Sequence, residues 1–285
     1  MEFKNQKGQA VLVVLLSLAV VLVVVMFVVS RSITDISLSS KEEGSLRAFS
    51  AAEAGIERAL VIGSYQAGEF GDASFSGSVT NFAEGSDKET YPISLKSGES
   101  ATFWFSRPNE STHFTGRYIK LCWGDVGTLN NDLKTPAVEF TVYYTSTANN
   151  LTTLKVARAV FDPSSRASTN HFTAASSGTC TIGDENFQFY TTSNIDLLSL
   201  GITGWATPGV LQYATAKILY NDTVAHKVGI DVSSTGSTLP SQGVKIESNG
   251  SYGDANRSIE VYQLHPIAPS IFENAIFSSG GITKP

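Results

Sequence analysis

The chain has 285 residues, a net charge of −6 and a pI near 5.3. That balance offers no basic stripe to neutralise phosphates, so nucleic acid is not expected as a partner. Charged residues make up only 16%, while 10 tyrosines and 16 phenylalanines accompany abundant Ser, Thr, Asn and Gly, a composition of β-rich surface rather than of a disordered tail.

The first element is a short leader, Met1 to Gly8, carrying Lys4 and Lys7. An apolar run of 20 residues follows, Ala10 to Val29, broken only by Ser17. At ~1.5 Å rise per residue it spans the ~30 Å hydrocarbon core of a bilayer. The leader lysines place the N-terminus in the cytoplasm, so everything after Arg31 is expected outside. A secretory signal would have an apolar region of ~7–15 residues and a small-x-small cleavage site. The run is longer, and Val29 to Ile33 offers no such site. An ordinary signal anchor holding a soluble domain fits the hydropathy equally well.

The nine prolines all lie from Pro92 onward, and the early chain reads as helix. Over 31–63, Leu46, Phe49, Ala52, Ile56 and Leu60 recur at spacings of three and four. This predicts an amphipathic helix that presents that stripe to a domain and stops at Gly63. Helix from Gln9 to Ile62 would be ~80 Å long. Gly44 and the serines around it predict a bend or a looser turn near 37–45. Glu53 falls between Leu46 and Phe49 on the helical wheel. It is either a buried carboxylate that locks helix to sheet or an edge acid that reaches water. Glu43 and Arg47 are placed for an i,i+4 pair worth ~0.3 kcal/mol.

From about Ser64 the period changes, and 64–285 reads as a β-rich head, as one domain or two subdomains. Ala137 to Thr145 alternates Val138, Phe140, Val142 and Tyr144 against polar neighbours, a strand with one buried face. Leu154 to Phe161 is a second strand, with Asn150 in the connection. Further strands are predicted over Thr102–Phe105, Arg117–Cys122, Asn186–Thr191 and Val210–Tyr220. Gly243–Tyr252 and Arg257–Leu264 flank turn residues and form a hairpin. Pro266 to Pro285 is expected to pack back on the domain as an extended segment. The fold class is therefore α+β, a long N-terminal helix packed on an antiparallel β-rich head.

Cys122 and Cys180 are the two cysteines, and an even count in an exported domain suggests a disulfide. It would close a loop of about 59 residues, worth up to ~4 kcal/mol by chain entropy. Two buried free thiols are the alternative. No nucleophile elbow, phosphate loop, dinucleotide fingerprint or zinc-protease motif occurs, so no catalytic residues, cofactor or metal are predicted. His113, His171, His226 and His265 are scattered and read as surface or strand residues. Gly183 to Asn186 reads as a turn rather than a calcium loop. Sequons begin at Asn109, Asn150, Asn221, Asn249 and Asn256 and match chance in so Ser/Thr-rich a chain. Trp104, Trp123 and Trp205 read as core residues before they read as a sugar site.

Three features together carry a resemblance: the leader ending Lys7-Gly8, the apolar helix that follows at once, and the segment Ala51-Ala52-Glu53-Ala54-Gly55 in an amphipathic helix leading to a β-rich domain. The N-terminal part, about residues 4 to 62, resembles the type IV pilins and pseudopilins, and within them the PilX N-terminal family of minor pilins. The resemblance implies cleavage by prepilin peptidase between Gly8 and Gln9. It implies a single-pass membrane protein with a cytoplasmic N-terminus and an extracytoplasmic head, incorporated into an extracellular filament. The implied partners are other pilin or pseudopilin subunits, the peptidase, the inner-membrane assembly platform and, before assembly, lipid. The helix with Ala10, Val13, Leu15 and Leu18 would then exchange lipid contacts for contacts with other subunits, states separated by little hydrophobic driving force. Major pilins carry a glutamate at the fifth mature position, where it can pair with a neighbour's N-terminal amine. The matching residue is Val13, which points to a tip or initiation subunit rather than a shaft subunit. The reading from a different class is a membrane-anchored extracytoplasmic binding protein, for polysaccharide or adhesion, that does not polymerise.

Overall fold

The computed structural model describes residues 7–107, 111–130 and 134–267. It opens with α1 (Lys7–Ile62), 56 residues long and continuous through Gly44. The looser turn expected near 37–45 is absent, because Gly44 is enclosed where the helix meets its sheet and packing offsets the local entropy cost. Gly63 adopts a φ of 74° and donates its N–H to Ala59 O at 2.8 Å, which ends the helix as expected.

The strands in chain order are β1 (Gly68–Phe70), β2 (Ala73–Phe82), β3 (Lys88–Thr90), β4 (Ser100–Trp104), β5 (Tyr118–Asp125), β6 (Ala137–Thr145), β7 (Leu154–Asp162) and β8 (Thr173–Ala174). They continue as β9 (Ser176–Ile182), β10 (Glu185–Tyr190), β11 (Ile195–Asp196), β12 (Leu211–Leu219), β13 (Val228–Asp231), β14 (Gly243–Tyr252) and β15 (Ala255–Leu264). The chain divides into two compact units, residues 7–79 with 246–261, and 80–245 with 262–267.

In the first unit, α1 is seated on a four-stranded sheet of order β1-β2-β14-β15. The helix buries Ala48, Ala51, Ala52, Ile56 and Ala59 against Ala73, Phe75 and their neighbours. The stripe expected to face the domain is corrected in part. Ala52 and Ile56 do face it, but Leu46 is 67% exposed and Phe49 and Leu60 are each 43% exposed. Small side chains let the helix backbone come close to the sheet, and that closeness decides the face.

The second unit holds a six-stranded sheet, β3-β13-β5-β10-β9 with β11 added to β5, and a five-stranded sheet, β4-β12-β6-β7-β8. Alternation in β6 sends Val138, Phe140 and Val142 into a large core with Phe103, Phe105, Trp123, Phe189 and Leu211. β6 matches the predicted strand residue for residue, and β7, β12 and the β14–β15 hairpin lie within a few residues of expectation. The hairpin turns at Gly253, φ 54°. Strands β1, β2, β3, β8, β9, β11 and β13 had no counterpart in the sequence reading. The C-terminal extended segment lies outside the described residues from 268 onward.

Candidate functional site

The apolar segment of α1 is the first candidate. Helix from Lys7 places Gly8 and Gln9 in the first turn, with Ala10 following. Every large apolar side chain from Val11 to Val29 is more than half exposed, including Val13, Leu15 and Leu18. This one helix is long and apolar enough to cross a membrane. The hydroxyl inside the apolar run is satisfied within the helix: Ser17 Oγ donates to Val14 O at 2.8 Å. Lipid can surround such a segment with no orphaned polar group in the apolar run.

The second candidate is the seat formed by the Ala51–Gly55 segment. Ala51, Ala52 and Gly55 are buried, Ala54 is half-buried, and Glu53 is exposed. A Cβ at Gly55 would lie 2.4 Å from both Ser248 Oγ and Tyr65 OH. A Cβ at Gly250 of β14 would lie 1.9 Å from Ala48 O. The helix thus rests almost backbone to backbone on β14. Polar contacts fix the register: Tyr65 OH and Ser248 Oγ are 2.8 Å apart, and Arg257 Nε donates to Ser45 Oγ at 2.8 Å. Arg47 bridges Glu43 at 2.7 Å and Asp72 at 2.6 Å and lies over the Tyr252 ring. Its guanidinium is held even more firmly charged, first by the Glu43 hydrogen bond and then by Asp72. Of the two readings of Glu53, the edge acid that reaches water is the one observed.

Cys122 and Cys180 form a disulfide, with Cα atoms 6.0 Å apart, in a small cluster with Ile182 and Phe187. It ties β5 to β9 across the intervening β10. Trp123 is fully buried and donates Nε1–H to Pro136 O at 2.9 Å. Trp205 packs against the same core. Trp104 is half-buried beside Tyr213 and His265. His226 is also buried, in a β-bridge with Leu95, and its Nδ1 accepts the Asp125 N–H at 3.3 Å. Arg117 forks onto Asp196 with two bonds of 2.7 Å, which together with Ser199 and the Leu198 N–H hold that carboxyl well below the usual range. Among the described residues no group of His, Cys, Asp and Glu is arranged to hold a metal ion.

The third candidate is a cleft of about 460 Å³ in the second unit, along edge strand β3 and the β9–β10 turn. Phe82, Tyr91, Pro92, Ile182 and Tyr262 give it apolar surface, and Lys88, Glu89, Thr90, Asp184, Glu185 and Lys227 give it polar surface. Lys227 pairs with Glu185, and Lys88 lies 3.6 Å from Asp231. The Glu89 carboxylate accepts the Thr90 N–H at 3.2 Å. Burial pushes its carboxyl up to about 7, against the pull of that hydrogen bond and of Lys245. Thr90 Oγ1 is enclosed and makes no hydrogen bond among the described residues. Asp184 stands exposed at the turn, next to Gly183 with φ 57°. Sequence reading missed this cleft, since its residues come from five separated stretches with no shared spacing.

Comparison of the chain with protein-family models, with curated proteins and with solved structures found no match.

Proposed function

We propose that this protein is a structural subunit of a type IV pilus-like or type II secretion-like filament, a minor pilin or pseudopilin, processed after Gly8. The observation that carries the reading is where the apolar surface of α1 stays uncovered. A bilayer accounts for Val11–Val29. It does not account for Leu46, Phe49 and Leu60, which are exposed and lie ~25–45 Å beyond Val29 along the helix. Apolar side chains there call for another protein surface, and a bundle of subunit helices supplies one. The small-residue seat leaves this face outward while holding the helix firmly to its own sheet.

The reading makes the chain a membrane-held subunit waiting for assembly, with no catalytic role. Val13, where a glutamate would pair with a neighbour's amine, favours a tip or initiation position. Replacement of Gly8 by leucine is expected to block processing and incorporation into filaments. Normal filament incorporation of that variant would contradict the reading. Immunogold label is expected at filament ends, and label spread evenly along the shaft would contradict the tip assignment. The alternative, an anchored binding protein that does not polymerise, draws support from the cleft beside β3. It predicts that the Gly8 variant keeps full function.

A further inference from the structure

The cleft beside β3 combines features that no structural need of the strands explains. Its open edge is already capped without a ligand: Ser86 Oγ donates to Lys88 O and accepts the Lys88 N–H, and Glu89 accepts the Thr90 N–H. Edge protection therefore leaves the carboxylate of Asp184 and the remaining acceptor capacity of Glu89 unused. Among the described residues Asp184 has neither an ion pair nor a hydrogen bond. Lys88 and Lys227 line the same cleft as Glu89, Asp184 and Glu185, so a strongly charged ligand of either sign meets repulsion as well as attraction. Aromatic surface from Phe82, Tyr91 and Tyr262 lies within the same wall.

We propose that this cleft binds a neutral carbohydrate, a short stretch of a hexose or N-acetylhexosamine glycan. Sugar hydroxyls both donate and accept, so they can satisfy Glu89 and Asp184 as acceptors and the lysine ammonium groups as donors in one pose. The apolar C–H face of a pyranose fits against aromatic rings, and a volume of about 460 Å³ lies in the range of small-ligand sites. The raised pKa of Glu89 agrees with a carboxylate enclosed without a full set of partners. The inference stands apart from the filament reading, since a filament subunit and a solitary anchored protein could both carry such a site.

The test uses the full chain in lipid nanodiscs, free of alkyl-glycoside detergent, on an array of neutral, acidic and amine-bearing oligosaccharides. The best-bound neutral glycan is then titrated by calorimetry at pH 8.5, where the Glu89 carboxyl is ionised, against wild type, Glu89→Gln and Asp184→Asn. Asp184 is exposed at a turn, so its variant keeps the fold, and thermal melting checks both proteins. Binding of a neutral glycan is expected, weakened at least about tenfold in each variant, as loss of a charged hydrogen-bond acceptor entails. Absence of neutral-glycan binding, binding confined to acidic or amine-bearing glycans, or a weakening below tenfold in either variant would overturn the assignment.

Discussion

Replacing Gly250 by alanine adds one methyl group where β14 meets the helix. The new Cβ would sit 1.9 Å from Ala48 O and 2.6 Å from Ala52 N, both backbone atoms. Neither can swing aside as the tip of a side chain can, so the helix must lift by about 1.3 Å to restore a tolerable contact of about 3.2 Å. A gap of more than about 1 Å forfeits roughly half or more of the dispersion energy along Ala48, Ala51, Ala52 and Ala59. Overpacking typically costs ~1–3 kcal/mol, and rigid backbone on both sides puts this site at the upper end, ~3 kcal/mol. The expected loss in Tm is about 6–12 °C. Thermal unfolding of the full chain in nanodiscs, followed by near-ultraviolet circular dichroism, measures it. Gly44→Ala is the internal control. Its Cβ would meet Tyr252 Cδ1 at 3.6 Å and Ala255 Cβ at 3.7 Å, ordinary contacts, and helical propensity favours it by ~0.5–1 kcal/mol. Gly44→Ala should raise Tm while Gly250→Ala lowers it. An unchanged Tm in Gly250→Ala, or two shifts of the same sign, would refute the close seat.

Glu53→Ala is expected to change stability by less than ~0.5 kcal/mol, because the carboxylate is exposed and holds no partner among the described residues; chemical denaturation checks this. Replacing both Cys122 and Cys180 by serine should cost ~2–5 kcal/mol, read as a lower denaturation midpoint, since the bond closes a long loop across a sequence separation of 58. Glu89 links stability to pH. Its carboxyl holds a proton to about 7 when folded, against 4.5 as the ordinary value, so its contribution is complete below about 4.5 and is lost as pH rises through about 7. Glu89→Gln should therefore match wild type in acid and exceed it at pH 8 by ~1–2 kcal/mol, after allowance for its partial exposure and Lys245. Parallel pH series of denaturant melts of the two proteins would show it, and a constant difference across the series would count against it.

Much of the architecture was legible because composition is loud where lipid or a core demands it. The run from Ala10 to Val29 and the absence of proline before Pro92 specify one long helix. Strict alternation specifies β6, and Gly253 marks the hairpin. The missed strands β1, β2, β3, β8, β9, β11 and β13 are short or rich in Ser, Thr and Gly, so their place is set by partners rather than by propensity. The face of α1 was misread for a related reason. Periodicity weights large apolar residues, which singled out Leu46, Phe49 and Leu60. The sheet instead selects residues that let backbones meet, namely Ala48, Ala51, Ala52, Gly55 and Ala59. The misread residues then became informative, since their exposure is what supports the proposed assembly role. The disulfide was legible by count. The cleft was not, because Phe82, Glu89, Asp184 and Tyr262 gain their relation only from the strand order.

The central claim is that α1 is a processed assembly helix rather than a permanent anchor. Intact-mass measurement of the protein isolated from its native membrane tests it most directly. A mature chain that begins at Gln9, having lost Met1 to Gly8, is the predicted result. A chain that retains the leader, or one cut after the apolar run near Ser30, would contradict the account.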